Sequence, residues 1–275
     1  AVVTTLTSFL GPFMISSVNI ALPAIQSDLQ VDAVALSWVA TAYLLAVAAF
    51  LVPVGKIGDI HGRKRVFAWG LGILAAASLF AAAAGSVEAV ILARIVQGAG
   101  AAMVVTTGMP ILISVYPLAE RGRAIGLYVA AVYVGLSVGP PVGGFLTQQL
   151  SWRWIFLLVA PLLLAILLLT VTRLGGEWAE AAEERLDGIG CLLYAAALVL
   201  MVYGASRLPS AAGAGLAGVG VAALAAFVRW ELRVAQPVFE VRLFTTNRVF
   251  AFSSLAALIH YAATFAVTFL MSLYL

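Results

Sequence analysis

Charged residues recur along this chain at nearly regular intervals, leaving nine uncharged, mostly apolar stretches that are each long enough to cross a lipid bilayer as one helix. They run from Ala1 to Ser27, Ala33 to Gly55, Val66 to Val87, Ile95 to Ala119, Ala124 to Trp152, Trp154 to Thr172, Gly188 to Ser206, Leu208 to Val228 and Val249 to Leu275. Hydrophobic residues make up 64% of the 275 and charged residues only 10%. The mean hydropathy of +1.10 lies far outside the soluble globular range. Membrane strands alternate apolar and polar positions, whereas Leu157 to Leu169 is apolar on every face. The expected fold class is therefore all-α, a polytopic transmembrane helical bundle.

Orientation follows from the basic residues, which resist translocation. With the first span running outward, the inner loops hold Lys56, Arg63, Lys64, Arg65, Arg121, Arg123, Arg173, Arg185, Arg229, Arg233, Arg242 and Arg248. The outer connections hold only Arg153 and Arg207, so twelve against two places the N-terminus in the cytoplasm. The net charge of +3 reflects this asymmetry. No basic stripe is interleaved with stacking aromatics, so nucleic acid is not an expected partner, while anionic membrane lipid is. Trp152 and Trp154 read as an outer aromatic belt.

Cys191 is the only cysteine, which excludes an intrachain disulfide and a metal-thiolate cluster. No metal or organic cofactor is expected, and no phosphate-cradling Gly-rich loop points to ATP. No His, Asp, Glu, Ser and Cys cluster lies at one depth, so an enzyme acting on lipid is not expected. The first apolar run is too long for a cleavable signal peptide. Because Ala1 is not Met and Leu275 falls inside an apolar run, the chain reads as part of a longer protein.

Residues 1–172 are expected to form a six-helix bundle, and 173–187 an amphipathic, helix-compatible cytoplasmic connector carrying Glu177, Glu180, Glu183 and Glu184. A further pair of spans occupies 188–232, and 233–275 holds a cytoplasmic loop and a ninth span.

Three constellations carry more than hydropathy. In the inner loop Gly55 to Arg65, Asp59 sits at a helix C-terminus, which the helix dipole disfavours, just before Arg63, Lys64 and Arg65. The acid makes sense if it bonds a nearby Arg or another helix's N-terminus as a breakable latch; the competing reading is a solvated loop that only sets topology. Arg94 and Gln97 share one helix face. An Arg near mid-span costs about 2.5 to 3.5 kcal/mol on insertion scales, so it needs a cavity or polar partner, or must snorkel to the outer interface; Gln97 favours the first. In span five, Gly135 and Gly139 form a side-chain-free strip, flanked by Gly126, Gly143 and Gly144, while Pro140 and Pro141 remove backbone donors and are expected to bend the helix.

These residues resemble the major facilitator superfamily along the whole chain. Gly55 to Arg65 is similar to the family's loop motif between spans two and three, departing at Ile60, and Arg94, Gln97, Gly98 and Gly100 resemble its span-four motif. Gly126, Gly135, Gly139, Pro140, Gly143 and Gly144 match the span-five signature associated with antiporters, and Asn19 to Pro23 resembles the end of span one in the fourteen-span drug:proton antiporter branch. The resemblance implies an alternating-access secondary transporter in the plasma membrane that exports lipophilic or cationic drug-like compounds by antiport, with protons as the coupling ion, working as a monomer when full length. It implies too that residues 188–232 are an inserted pair and that span nine opens a second bundle. Asp59, Arg63, Arg94, Gln97 and the span-five glycines with Pro140 would serve coupling and gating. A substrate cavity would be lined by Asn19, Tyr43, Thr106, Tyr128 and Tyr133, with His260 as a titratable group in span nine; each also reads as an interhelical hydrogen bonder or packing residue. Met14 stands where many branch members carry an acid, which leaves the proton carrier open. A small-metabolite transporter and a non-transporting sensor or scaffold of the same fold remain the alternatives.

Overall fold

Short polar residues ahead of apolar runs cap the start of four helices, at Asp32, Ser86, Asp187 and Ser210. In the computed structural model, which describes residues 2–274 and side-chain surroundings to residue 263, Asp32 accepts a hydrogen bond from the Ala35 N–H (2.7 Å) and Ser86 from the Ala89 N–H (3.3 Å). Ser210 does the same for the Gly213 N–H (3.0 Å). Each satisfies a donor that the first helical turn leaves orphaned. The resulting helices are α1 (Val2–Leu29), α2 (Ala33–His61), α3 (Arg63–Ala82), α4 (Val87–Val115), α5 (Leu118–Gln149), α6 (Arg153–Arg173), α7 (Gly188–Ser206) and α8 (Ala211–Glu231). All eight are long and apolar enough to span a bilayer. A short α9 (Leu243–Thr246) precedes α10 (Arg248–Tyr274), which takes in the described residues of the ninth apolar run. The described residues contain no strand, in line with the all-α expectation.

Charges bound the apolar bands, but several helices run past them. α2 continues through Lys56 and Asp59, α5 takes in Glu120, Arg121 and Arg123, and α4 starts at Val87 rather than Ile95. Lys, Arg and Glu are good helix formers, so the helix runs on into the polar zone until a cap or a glycine stops it. Gly62, at φ +105°, is such a stop between α2 and α3.

α1 packs chiefly on α5, α2 on α4, and α3 on both α4 and α6; α7 and α8 form a hairpin that rests on α2. Glycines set the closest crossings. A Cβ on Gly98 would stand 2.6 Å from the Tyr43 carbonyl of α2, and one on Gly100 would stand 2.9 Å from the Gly70 carbonyl of α3. On α5, Gly135, Gly139 and Gly143 repeat every four residues and face the α1 backbone from Phe9 to Ser17, where a Cβ on Gly143 would lie 2.8 Å from Ser17 Cα. Ser17 donates to the Gly139 carbonyl (3.0 Å) and Ser8 to the Tyr128 carbonyl (3.0 Å), so hydroxyls add to the close fit. α5 remains helical through Pro140 and Pro141.

The end of the bundle opposite the basic loops is tied by Asp28, which accepts from Arg153 (2.7 Å) and from the Trp152 indole (3.1 Å). Trp152 is therefore buried, against the expectation of a belt position, because its N–H has a carboxylate to reach; Trp154 is exposed.

The connector 174–187 is not the helix its composition suggested. Gly176 takes φ +84°, and the connector's carboxylates bond the α2–α3 junction, alongside local bonds such as that from the Glu184 N–H to the Ala181 carbonyl (2.9 Å).

Candidate functional site

Arg94 lies in the eighth position of α4 with 1% of its surface exposed, so it points into the bundle and not toward the lipid-facing surface. Its Nε donates to the Val39 carbonyl (3.1 Å), and one Nη donates to the Gln97 side-chain oxygen (2.9 Å). The guanidinium stands over the Tyr43 ring, 4.0 Å from its centroid. Gln97, one turn on, passes the network along by donating to Ser78 Oγ (2.9 Å) and to the Met14 sulfur (3.8 Å). Ser78 closes it by donating to the Leu74 carbonyl (2.7 Å). The charge is thus held by a carbonyl, an amide and a ring face, and no carboxylate touches it among the described residues.

Beside this cluster is a cavity of about 230 Å³ lined chiefly by α1, α4, α5 and α6, with Tyr43 of α2 and Leu74 of α3. Its walls are mostly apolar, with Thr7, Ser8, Tyr43 and Tyr128 as the polar exceptions. Tyr43 and Met14 belong to both the cavity wall and the Arg94 network. A molecule in the cavity that displaces either side chain therefore alters what surrounds the charge.

Of the residues expected to line a cavity, Tyr43 and Tyr128 do so. Tyr133 is 58% exposed and Asn19 is exposed as well. The reason is geometric: each sits five residues from a lining position, Tyr128 or Met14, which is about 140° around a helix. Thr106 lies at the α2–α4 contact instead, donating to the Ala102 carbonyl (2.8 Å) with its methyl near Gly55. His260 is exposed on α10, its ring edge-on to Tyr261. Thr7, Ser8 and Gly11 were missed, although with Thr4 they follow the helical spacing of one face.

A second constellation lies at the basic end. Arg63 donates to Asp59 (2.9 Å) and, with both terminal nitrogens, to Glu180 of the connector (2.8 Å each), a bidentate pair. Lys56 pairs with Glu184 (2.5 Å), and the Lys64 backbone N–H donates to Glu177 (2.8 Å). Lys64 Nζ also donates to the Leu174 carbonyl. Backbone bonds reinforce the strap, from Arg63 N–H to the Trp178 carbonyl (2.8 Å) and from Ala181 N–H to the Asp59 carbonyl (2.9 Å). Asp59 and Arg63 are brought together here, with the connector as their partner. On α5, Gly135, Gly139 and Gly143 meet α1, Gly144 lies at ordinary contact distance from Ile20, and Gly126 has open space.

Fold and site together define a polytopic helical membrane protein with a buried cation beside an apolar cavity. The family model described as Major Facilitator Superfamily matches residues 4–275, and the chain belongs to that superfamily. It is 35% identical over 268 residues to the lincomycin resistance protein of Streptomyces lincolnensis, covering 95% of this chain and 55% of that one. It is likewise 35% identical over 274 residues to the cephamycin export protein CmcT of Amycolatopsis lactamdurans, covering 96% and 56%. The chain thus spans about half the length of the curated relatives it matches. The crystal structure of a peptide transporter, POT, in complex with alafosfalin shares the fold, with a TM-score of 0.59 at 17% identity, over 82% of this chain and 55% of that one.

Proposed function

We propose that this chain carries the N-terminal bundle and inserted helix pair of a secondary transporter that exports lipophilic or cationic drug-like compounds across the plasma membrane by proton antiport, with its N-terminus in the cytoplasm. The observation that carries the reading is the cavity of about 230 Å³ whose wall shares Tyr43 and Met14 with the Arg94 network. Apolar walls with a few hydroxyls suit a bulky hydrophobic solute, and the Tyr43 and Tyr128 rings suit a cationic one. Relatives named for resistance to lincomycin and for cephamycin export favour outward movement of such compounds.

In this reading α1 and α5, joined along the Gly135, Gly139 and Gly143 strip, move as one unit while the cavity opens alternately to each side. The clasp of Asp59 and Arg63 with Glu180 breaks and re-forms at the basic end as it does so. Arg94 couples substrate to charge, since a solute that displaces Tyr43 or Met14 takes a neutral partner from the guanidinium network.

The test is efflux of a lipophilic cationic dye from cells that lack their own exporters and express the full-length protein. Arg94→Ala and Tyr43→Ala are expected to abolish efflux at unchanged membrane abundance. Undiminished efflux by Arg94→Ala, or no efflux beyond empty cells by the unaltered protein, contradicts the reading.

A further inference from the structure

We infer that Asp187 and Glu231, at the foot of the α7–α8 hairpin, form a proton-binding site in which the two carboxylates share one proton. Glu231 ends α8 and is 3% exposed. Its Oε2 accepts from the Phe239 N–H (2.9 Å), and its Oε1 is the single buried side-chain oxygen or nitrogen among the described residues that has no hydrogen-bond partner. A buried acceptor left unmade costs about 1 to 3 kcal/mol, more when it is charged.

A second acid stands beside that oxygen. Asp187 caps α7, with Oδ1 accepting from the Ile189 and Gly190 N–H groups (3.1 Å each) and Oδ2 from the Trp230 indole (2.6 Å). The place where a Cβ on Gly190 would stand touches both Glu231 Oε1 and Asp187 Oδ2, so those oxygens lie within about 5 Å of each other. Gly190 is what leaves the gap between them.

Two carboxylates this close, one of them buried, are not both ionised at small cost. A proton on Glu231 Oε1 supplies the missing donor and aims it at Asp187 Oδ2, lowering the charge of the pair from −2 to −1. The other titratable or charged groups beside the pair are Lys56 of α2, already engaged by Glu184 of the connector, Cys191 of α7, Arg185, which lines a surface pocket together with Asp187, and Arg242, which donates to the Leu232 carbonyl next to Glu231 (2.9 Å). From the segment after α8, Glu231 accepts the Phe239 N–H, and Phe239 and Glu240 line a neighbouring cavity of about 570 Å³. Loss of the proton sets two charges against each other at the point where the hairpin holds Phe239 and Trp230. The site stands apart from the export reading, and no step of transport is routed through it.

Infrared titration of the purified full-length protein in lipid nanodiscs tests it. The unaltered protein is expected to show a protonated-carboxyl band that disappears as pH rises; Glu231→Gln loses that band, Asp187→Asn moves its midpoint, and Glu240→Gln leaves it in place. Thermal stability is expected to fall as pH rises through that midpoint in the unaltered protein and to stay level in Glu231→Gln. Superimposable titrations of the unaltered protein and both Glu231→Gln and Asp187→Asn overturn the assignment. So does a midpoint that moves with sodium concentration, which gives the site to a metal cation.

Discussion

At the scale of single residues, Arg94 gathers the most consequence from its surroundings. Every described partner is neutral, so the residue is held by geometry more than by charge: the fork reaches the Val39 carbonyl and Gln97 at once while the plane lies on Tyr43. A lysine keeps the charge but cannot do all three. Arg94→Lys is therefore expected to lower dye efflux at least tenfold at near-normal abundance, and wild-type efflux by this variant would show that charge alone suffices. Gln97→Ala removes the donor to Ser78 Oγ and the acceptor of one guanidinium nitrogen, and is expected to destabilise the protein by about 1 to 3 kcal/mol, read by thermal unfolding in detergent. The sequence made this cluster legible because an Arg inside an apolar run has few places to go. It did not separate Tyr128 from Tyr133, or Met14 from Asn19, because hydropathy says that a helix is buried in lipid but not which side meets a neighbour.

At the scale of elements, the span-five glycines divide by what they face. Gly139 and Gly143 press on α1 backbone or a serine, which cannot yield, whereas Gly126 has nothing within 4 Å. Gly143→Val is expected to destabilise the bundle by about 1 to 3 kcal/mol or more through overpacking. Gly126→Ala is expected to stabilise it by about 0.5 to 1 kcal/mol, since alanine is the better helix former. Unfolding of the purified variants checks both, and loss of efflux in a stably folded Gly126→Ala protein would assign that glycine to movement and not to packing. Helix existence was legible throughout, since each uncharged run became helical. Helix ends were legible where the bounding charge is also the cap, as at Asp32 and Asp187, and not where an uncharged cap such as Ser86 starts the helix or the helix runs on past the charge. The connector misled for a related reason: helix-compatible composition is a weak prior, and pairing with Lys56, Arg63 and Lys64 overrode it.

At the scale of the whole molecule, the strap formed by residues 174–187 and the cavity at the centre belong to one arrangement. Glu180 and Glu184 hold the α2–α3 end, so neutralising them is expected to free the connector. Glu180→Gln with Glu184→Gln should be cut there by trypsin several times faster than the unaltered protein, and salt should raise the unaltered rate toward theirs, because the carboxylates are partly exposed and their pairing is screened. Equal cutting rates would mean that the backbone bonds of Arg63 and Ala181 hold the strap unaided.

In the proposed function the cavity lined chiefly by α1, α4, α5 and α6 receives the exported compound. The test places single cysteines in the full-length protein after its native cysteines, Cys191 among them, are replaced by alanine. Maleimide labelling at Ser8→Cys and Tyr128→Cys, both on the cavity wall, is expected to slow severalfold when a transported lipophilic cation is added, while Tyr133→Cys on the exposed face of α5 labels at the same rate with or without it. Equal labelling at all three positions in the presence and absence of the compound would contradict the account.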